Sequence, residues 1–161
     1  MRNSKFLGLS AATALAAVVT GVSAAPAAAS QNTRELVFRL ISKQTQLSYV
    51  DVGNPGPSQG DEFVSSSDLY RGSTKVGDQG GVCTLTRTAP NDEFDEQCVN
   101  SLALPGGQLT AQGRLTATNA GPGNIDLAIT GGTRLYRKAR GYIHVELLNE
   151  TDAELTVHLI L

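Results

Sequence analysis

The sequence predicts an all-β domain built from antiparallel strands. From about residue 30 onward, β-branched residues, Thr and Gly are spread throughout, and Pro or Gly recurs at short intervals. Between these breaks, apolar and polar residues alternate with the period of two that is typical of strands. There are nine such runs, or eight if the first two form one bent strand, so we expect eight strands.

The first 29 residues have the layout of an export signal. Two basic residues precede an uncharged apolar stretch at residues 6–22, and small residues follow as far as Ala29. The stretch is rich in Ala, Gly and Thr and is shorter than the ~20 strongly apolar residues that a membrane-spanning helix needs. We therefore expect cleavage after Ala29, with Ala25 as the other candidate, and a secreted single β-barrel domain at residues 30–161 without a membrane anchor.

The composition argues against nucleic acid as a partner. The leader holds two of the 13 basic residues and none of the 15 acidic ones, so the secreted part is more acidic than the formal net charge of −2. No run of Lys or Arg supplies the positive surface that nucleic acids require. The chain also lacks Trp and has only four Phe and four Tyr, which makes stacking platforms improbable.

The predicted strands follow one another through short connections. We place them at about residues 34–43, 46–52, 61–71, 81–88, 94–104, 108–118, 124–130, 139–148 and 153–161. The segment 53–60 combines Gly and Asn, which favour positive φ, with prolines that cannot extend a ladder. It is predicted to be a loop and the most mobile part of the domain.

The only two cysteines, Cys83 and Cys98, indicate a disulfide, because an even count in an exported chain favours pairing. Residue numbers directly opposite each other in a hairpin have a constant sum, and the cysteines share this sum with the turn dipeptide Pro90-Asn91. A hairpin centred on that turn therefore sets the two cysteines face to face. Closing this loop would stabilise the fold by about 3 kcal/mol.

A second hairpin, centred on Pro105-Gly106, pairs Cys98 with Gly113, where a side chain would compete with sulfur for space. Alternation through both hairpins defines one continuous face, which we interpret as the interior. It comprises Cys83, Leu85, Arg87, Phe94, Glu96, Cys98, Asn100, Leu102, Leu104, Leu109, Ala111, Gly113 and Leu115. The opposite face is rich in Thr and suits a hydrated outer wall.

The segment DLAITGGT at residues 126–133, followed by ARGY at 139–142, resembles the LAITGGTG…A.G signature of plant allene oxide cyclases and the VVGGTG…ARG segment of dirigent proteins. Upstream, residues 60–61, 69–72 and 81–83 are similar to the cyclase pattern GD…LY.G…G.C. The resemblance covers most of residues 36–161. It implies a calycin-like, eight-stranded antiparallel β-barrel of the secreted bacterial type, assembled as a homotrimer. The glycines of the signature mark a structural corner.

Two departures from these families concern activity. Allene oxide cyclases carry an acidic residue in the first strand that is implicated in cyclisation, and this sequence has Arg39 at the nearest match. Pathway-defining dirigent proteins carry Arg directly before the Asp-Leu of the signature strand, and this sequence has Ile125. The residues that mark these two activities are therefore unmatched, and whether the protein is an enzyme stays open.

Candidate ligand-binding residues are polar or aromatic groups expected at the barrel. Arg87 can anchor a carboxylate or carbonyl, and Glu96 can act as an acid or base. In the competing structural interpretation, these two residues pair with each other or stay solvated at the barrel mouth. The full candidate set is Arg87, Asn100, Glu96, Phe94, Arg39 and Tyr70, and the catalytic residues are unknown.

His144 and His158 are expected to lie opposite each other across the last hairpin. Two His can begin a metal site, but their strand faces are polar, and we interpret them as outer wall or subunit contact. No metal and no cofactor is expected, because motifs for nucleophilic serine, phosphate, zinc and dinucleotide sites do not occur. Residues 149–151 formally match a glycosylation sequon.

Two functions are consistent with these features. The first is an exported barrel that binds a small hydrophobic molecule in its lumen and steers its cyclisation or isomerisation. The second is a non-enzymatic binding or interaction module whose barrel is filled by side chains. An open cavity lined by apolar residues and a few polar groups would favour the first.

Overall fold

Eight antiparallel strands close into a barrel in sequence order, with β8 returning to pair with β1. The computed structural model describes residues 35–118 and 120–161, and the predicted export signal lies outside the described residues. In this part of the chain, no helix has the length and apolar character needed to cross a membrane. The strands are β1 (Glu35–Val50), β2 (Glu62–Arg71), β3 (Thr74–Ala89), β4 (Glu93–Leu104), β5 (Gly107–Ala117), β6 (Ile125–Gly132), β7 (Arg140–Leu147) and β8 (Asp152–Ile160).

This architecture confirms the predicted eight-stranded antiparallel barrel. The first two predicted runs form one strand, β1, with a register shift between Gln44 and Gln46. The largest difference is β3, which begins at Thr74, well before the predicted start at residue 81. Its first half contains three glycines and no apolar alternation, so it does not have a strand-like sequence. At Gly77 a Cβ would lie 2.0 Å from the carbonyl oxygen of Ala103, which means that β4 approaches too closely for any side chain.

The two ends of the barrel differ in packing. At the closed end, which carries the turns at residues 72–73, 105–106 and 133–139, aliphatic side chains fill the interior. The most deeply buried of these are Leu40, Leu69, Leu102, Leu109, Ile143, Val157 and Leu159. The open end carries the loops at residues 51–61, 90–92, 118–124 and 148–151. The apolar core therefore lies toward the closed end and leaves space toward the open end.

The glycine-rich signature forms a corner at the closed end, as predicted. Thr133 Oγ1 accepts a hydrogen bond from the backbone N–H of Gln108 at 3.0 Å, which ties the end of β6 to the start of β5. A Cβ at Gly132 would lie 2.3 Å from the carbonyl oxygen of Gln108. A short 3₁₀ helix, Arg134–Tyr136, then leads the chain toward β7. The motif therefore permits close backbone packing where the chain turns.

A β-bulge in β3 changes the predicted interior face. Cys83 pairs with Cys98, and Leu85 with Glu96, as the hairpin register predicts. The register then shifts between Leu85 and Arg87, which leaves Thr86 as the extra residue. Because one extra residue reverses the alternation, Arg87 pairs with Asp95 instead of Phe94. The predicted interior position of Arg87 is therefore wrong.

Candidate functional site

A cavity of about 230 Å³ lies inside the barrel and reaches the open end at the β7–β8 hairpin. We call it the luminal cavity. One wall is aliphatic, and it comprises Leu102, Leu115, Ile125, Leu127, Ile143, Val145, Leu147 and Leu155. The other wall comes from β1 to β4 and carries the hydroxyl and amide groups of Ser42, Gln44, Ser65, Ser67, Gln79 and Asn100. A molecule inside would therefore meet a hydrogen-bonding wall on one side and an apolar wall on the other.

The polar wall is arranged by close contacts between neighbouring strands. Gln79 Nε2 donates a hydrogen bond to Ser42 Oγ at 2.9 Å, which fixes the amide across the polar wall. Gly81 leaves room for Asn100, because a Cβ there would lie only 2.0 Å from Asn100 Oδ1. The predicted luminal position of Asn100 agrees with its place in this wall. These groups offer neutral donors and acceptors to a ligand.

Charge is confined to the rim of the luminal cavity. Among the described residues that line it, the charged ones are Glu150 and Asp152, at the tip and start of the β7–β8 hairpin, and none is a cation. The site therefore lacks the guanidinium that the sequence led us to expect.

The predicted disulfide between Cys83 and Cys98 is present and forms part of the cavity wall. Gly113 lies opposite Cys98 on β5, as predicted, but the reason for glycine differs from the expected one. A Cβ at Gly113 would lie 2.8 Å from the carbonyl oxygen of Asp126 on β6. Close packing against the next strand, and not competition with sulfur, therefore requires glycine.

Glu96 projects into the barrel beside the disulfide, and the residue is only 7% exposed. Burial raises the pKa of its carboxyl group above the ordinary value for Glu. Within residues 35–118 and 120–161, no hydrogen bond or ion pair engages this carboxyl group. Its oxygen lies within 4.8 Å of both sulfur atoms, but the disulfide removes the two thiolates that a metal ion would need.

A second cavity of about 310 Å³ also lies at the open end. We call it the aromatic cavity, because three of its six lining residues carry aromatic rings. Its walls are Tyr49, Gly56, Pro57, Phe63, Leu85 and Phe94. The rings of Tyr49 and Phe63 are 5.1 Å apart, and the loop after β1 contributes Gly56 and Pro57. The candidate Phe94 therefore contacts this cavity and not the luminal one.

Asp61 holds the loop that borders the aromatic cavity. Its carboxylate accepts hydrogen bonds from the Tyr49 hydroxyl at 2.5 Å and from the backbone N–H groups of Val52 and Ser58 at 2.8 Å each. The Tyr49 hydrogen bond is the main cause that lowers the pKa of Asp61 to about 2, and the same bond raises the pKa of Tyr49 to about 12. In the sequence, Asp61 belongs to the GD element of the family resemblance, but no role was assigned to it.

Arg87 lies on the outer wall, where it forms an ion pair with Asp95. Arg114 adds a second pair at 2.6 Å, and Thr116 donates a hydrogen bond at 2.6 Å. The Arg87 hydrogen bond is the first of several contacts that hold the pKa of Asp95 well below its usual range. Arg87 thus neutralises a carboxylate that is only 2% exposed, and Glu96 is not its partner.

Arg39 and Tyr70 also lie on the outer wall. The Arg39 guanidinium, with a side chain 71% exposed, pairs with Glu154 at 3.2 Å. The Lys43 ammonium lies 5.4 Å from the centre of the Tyr70 ring, on the outer face shared by β1 and β2. Of the six candidate residues, the structure therefore brings Glu96, Asn100 and Phe94 into the interior, and it separates the other three from both cavities.

The two histidines lie on the outer wall, as their polar strand faces predict. His144 Nδ1 is 2.8 Å from Asp126 Oδ1, and His158 Nδ1 is 2.8 Å from Glu35 Oε1. The expectation that they lie opposite each other is wrong, because His158 pairs with Tyr142 and stacks on its ring at 4.3 Å. The register of the last hairpin is shifted by two from the predicted one.

The chain is similar to one protein family and to several solved structures. The family model described as "Allene oxide cyclase barrel like domain" matches residues 39–161. No curated protein matches the chain. Among solved structures, a pyocyanin demethylase is 27% identical, with a TM-score of 0.63, and the match covers 76% of this chain and 100% of that one.

Two further solved structures share the fold. An exo-specific intermolecular Diels-Alderase is 16% identical, with a TM-score of 0.63, and the match covers 79% of this chain and 98% of that one. A pterocarpan synthase dirigent protein is 21% identical, with a TM-score of 0.56, and the match covers 81% of this chain and 94% of that one.

Proposed function

This chain belongs to the allene oxide cyclase barrel-like family, and on that premise we propose that it is a secreted barrel that binds a small, uncharged, largely apolar molecule and steers its cyclisation or isomerisation. The observation that carries the proposal is the luminal cavity, with one hydrogen-bonding wall and one aliphatic wall. A barrel filled by side chains, the alternative from the sequence, fits less well because this space is open.

The charge of the site favours a neutral ligand. The lining residues of the luminal cavity include no cation among those described, and the two carboxylates at its rim would repel an anion. An ionised ligand would lose its hydration without gaining an opposite charge, which is costly in an apolar lumen. Burial of apolar ligand surface, at roughly 25 cal/mol per Å², would provide most of the affinity.

The two walls also support a steering role. Hydroxyl and amide groups such as those of Ser67 and Asn100 can fix one edge of a molecule, while the aliphatic wall folds the rest. Holding two reactive ends of one molecule together can supply up to about 7–11 kcal/mol of the barrier in well-oriented cases. Such catalysis requires a rigid shape more than a nucleophile. The names of the solved relatives, a demethylase, a Diels-Alderase and a pterocarpan synthase dirigent protein, are in keeping with chemistry on small molecules.

Secretion is part of the proposal. The leader at residues 1–29 supports it, and so does the disulfide, because disulfides persist mainly in oxidising compartments. Mass spectrometry of the protein recovered outside the cell should find a chain that begins at Ser30. Recovery of the intact chain inside the cell alone would contradict it.

Binding can be tested with two fluorescent probes that share one framework. We expect the neutral phenylnaphthylamine to bind the purified protein, and the corresponding anilinonaphthalene sulfonate to bind at least about tenfold more weakly. Ala153 lines the luminal cavity, so Ala153→Phe should block the neutral probe. The matched control is Ala128→Phe, at an exposed position on β6. Equal binding by both variants would contradict a luminal site.

Steering requires a product. Untargeted mass spectrometry of molecules retained by the purified protein should identify the ligand class, and incubation with that class should change the ratio of its cyclised or isomerised products. Binding without any such change would mean that the protein only carries the molecule, and it would refute the steering role.

A further inference from the structure

Glu96 occupies the position between the two cavities of the open end. On the inward face of β4, Cys98 lines the luminal cavity, Phe94 lines the aromatic cavity, and Glu96 lies between them. On the neighbouring strand β3, Cys83 lines the first cavity and Leu85 the second. Glu96 is not itself among the lining residues of either cavity, but its carboxyl oxygen lies within 4.8 Å of the two sulfur atoms in the luminal wall, and its β3 partner Leu85 lines the aromatic cavity. A ligand group at the boundary between the two cavities would therefore meet this carboxyl group.

The carboxyl group has no protein partner in the part of the chain that the structure describes. Its inward neighbours on the adjacent strands are Leu85, opposite on β3, and Leu115, opposite on β5. The arginines of the two neighbouring strands, Arg87 on β3 and Arg114 on β5, are paired with Asp95. Burial without an opposite charge beside it disfavours the carboxylate, so the equilibrium of Glu96 is shifted toward the neutral acid in the folded protein.

The other titratable groups around the cavities do not change this conclusion. Tyr49 faces the aromatic cavity, and its hydroxyl group donates a hydrogen bond to Asp61. Glu150 and Asp152 lie at the rim of the luminal cavity, where added negative charge would favour the neutral form of Glu96 further. A neutral carboxylic acid has one O–H donor, and here that donor lacks a partner.

We propose that Glu96 donates a hydrogen bond to a carbonyl oxygen of the bound molecule. The substrate class is then a neutral ketone or conjugated enone, with a planar apolar part in the aromatic cavity and an aliphatic part in the luminal cavity. The inference rests on the proposed function and makes its ligand specific. A hydrogen bond to the carbonyl withdraws electron density from a conjugated double bond, which would promote ring closure at that bond without proton transfer.

The naphthyl ketone prodan tests this inference, because its emission shifts to the red when its carbonyl accepts a hydrogen bond. The matched probe is its propyl analogue, in which a methylene group replaces the carbonyl. We expect the wild-type protein to bind prodan about tenfold more tightly than the analogue. Prodan bound to the wild type should also emit at longer wavelength than prodan bound to Glu96→Leu. The Glu96→Leu variant should lose the tenfold preference for prodan and still bind the analogue.

Glu96→Gln keeps an N–H donor but cannot ionise. This variant should retain prodan affinity within about threefold, and its affinity should be independent of pH. Wild-type affinity for prodan should fall as pH rises through the raised pKa of Glu96, whereas affinity for the propyl analogue should not. The control is Glu146→Gln, which changes an exposed carboxylate on the outer wall and should match the wild type.

The outcomes separate the two proposals. If neither naphthalene binds the wild type, the proposed function fails, and this inference fails with it. If both bind equally well, or if Glu96→Leu retains the ketone advantage, the inference alone is overturned. It is also overturned if a naphthyl trimethylammonium probe binds the wild type better than Glu96→Gln at neutral pH, because that result requires an ionised Glu96.

Discussion

Tyr49 and Asp61 are joined by a hydrogen bond of 2.5 Å that links the end of β1 to the residue before β2. The same carboxylate accepts two backbone N–H groups of the intervening loop, so one side chain fixes both ends of that loop. The loop borders the aromatic cavity through Gly56 and Pro57. The ionisation of Asp61 is therefore coupled to the shape of the open end.

Acid should release this loop. The folded-state pKa of Asp61 is about 2, below its ordinary value, so its contribution to stability is complete above about pH 4 and is lost as pH falls toward 2. Protection of the Val52 and Ser58 amides against hydrogen exchange, taken as the ratio of intrinsic to observed rate, should fall over that window in the wild type. In Asp61→Asn both amides should exchange quickly at neutral pH already. Identical exchange in the two proteins would contradict the assigned role.

Replacing Arg87 by Met should destabilise the protein and leave ligand binding unchanged. The substitution removes a hydrogen-bonded cation from the buried carboxylate of Asp95, and Arg114 compensates only in part. We expect the melting temperature to fall by on the order of a few degrees. Affinity for the neutral phenylnaphthylamine probe should not change, since Arg87 lies outside the barrel. A loss of affinity at unchanged melting temperature would restore Arg87 as a ligand anchor.

Glu96→Gln should become more stabilising, relative to the wild type, as pH rises. The folded-state pKa of Glu96 is raised, so the wild type loses stability as pH increases through that pKa, whereas Gln cannot ionise. Urea unfolding at about pH 4, below the ordinary pKa of Glu, and at about pH 8 measures the difference between the two proteins. A constant difference at the two pH values would mean that Glu96 ionises as readily in the folded as in the unfolded chain.

The Cys83–Cys98 bond should contribute about 3 kcal/mol to the free energy of unfolding. The double variant Cys83→Ser, Cys98→Ser measures this contribution by chemical denaturation, and thiol titration of the unfolded, unreduced wild type should find no free thiol. Two reactive thiols would refute the bond. Because the bond lies in the cavity wall, the double variant should also bind the neutral probe more weakly.

Homotrimer formation is expected from the family likeness. On the outer wall, the apolar residues Val37 and Tyr142 are 54% and 41% exposed and lie on either side of His158. Light scattering of the purified protein at micromolar concentration should give the mass of a trimer. If this patch is the subunit contact, Val37→Glu should yield monomers, and a wild-type monomer would contradict the expectation.

The strands and hairpins followed from local signals in the sequence. Turn residues such as Pro105 and Gly106 mark where the chain reverses, and the period-two alternation assigns faces between turns, so the Cys83–Cys98 register was predictable. The bulge at Thr86 was not predictable. Positions 84, 86 and 88 are all threonine, so nothing in that stretch distinguishes a regular strand from one with an extra residue.

Apart from Asn100, the polar wall of the lumen was also missed, for a different reason. In a half-buried sheet polar residues mark the solvent side, but in a barrel with an internal cavity they can face inward. In β2, Ser65 and Ser67 line the cavity, whereas Val64, the residue before Ser65, is apolar and exposed. The two serines also share a strand face with the buried Leu69. This reversed alternation was the sequence signal that the serines face inward.

The unequal packing of the two barrel ends has a consequence for how this scaffold can diversify. Aliphatic side chains around Leu69 and Leu109 hold the closed end, and substitutions there would create cavities in the core that stabilises the fold. Polar wall positions such as Ser65 and Gln79 border empty space, so exchanging them costs less stability. Selection or laboratory evolution can therefore retune which molecules enter the open end while the closed end preserves the architecture.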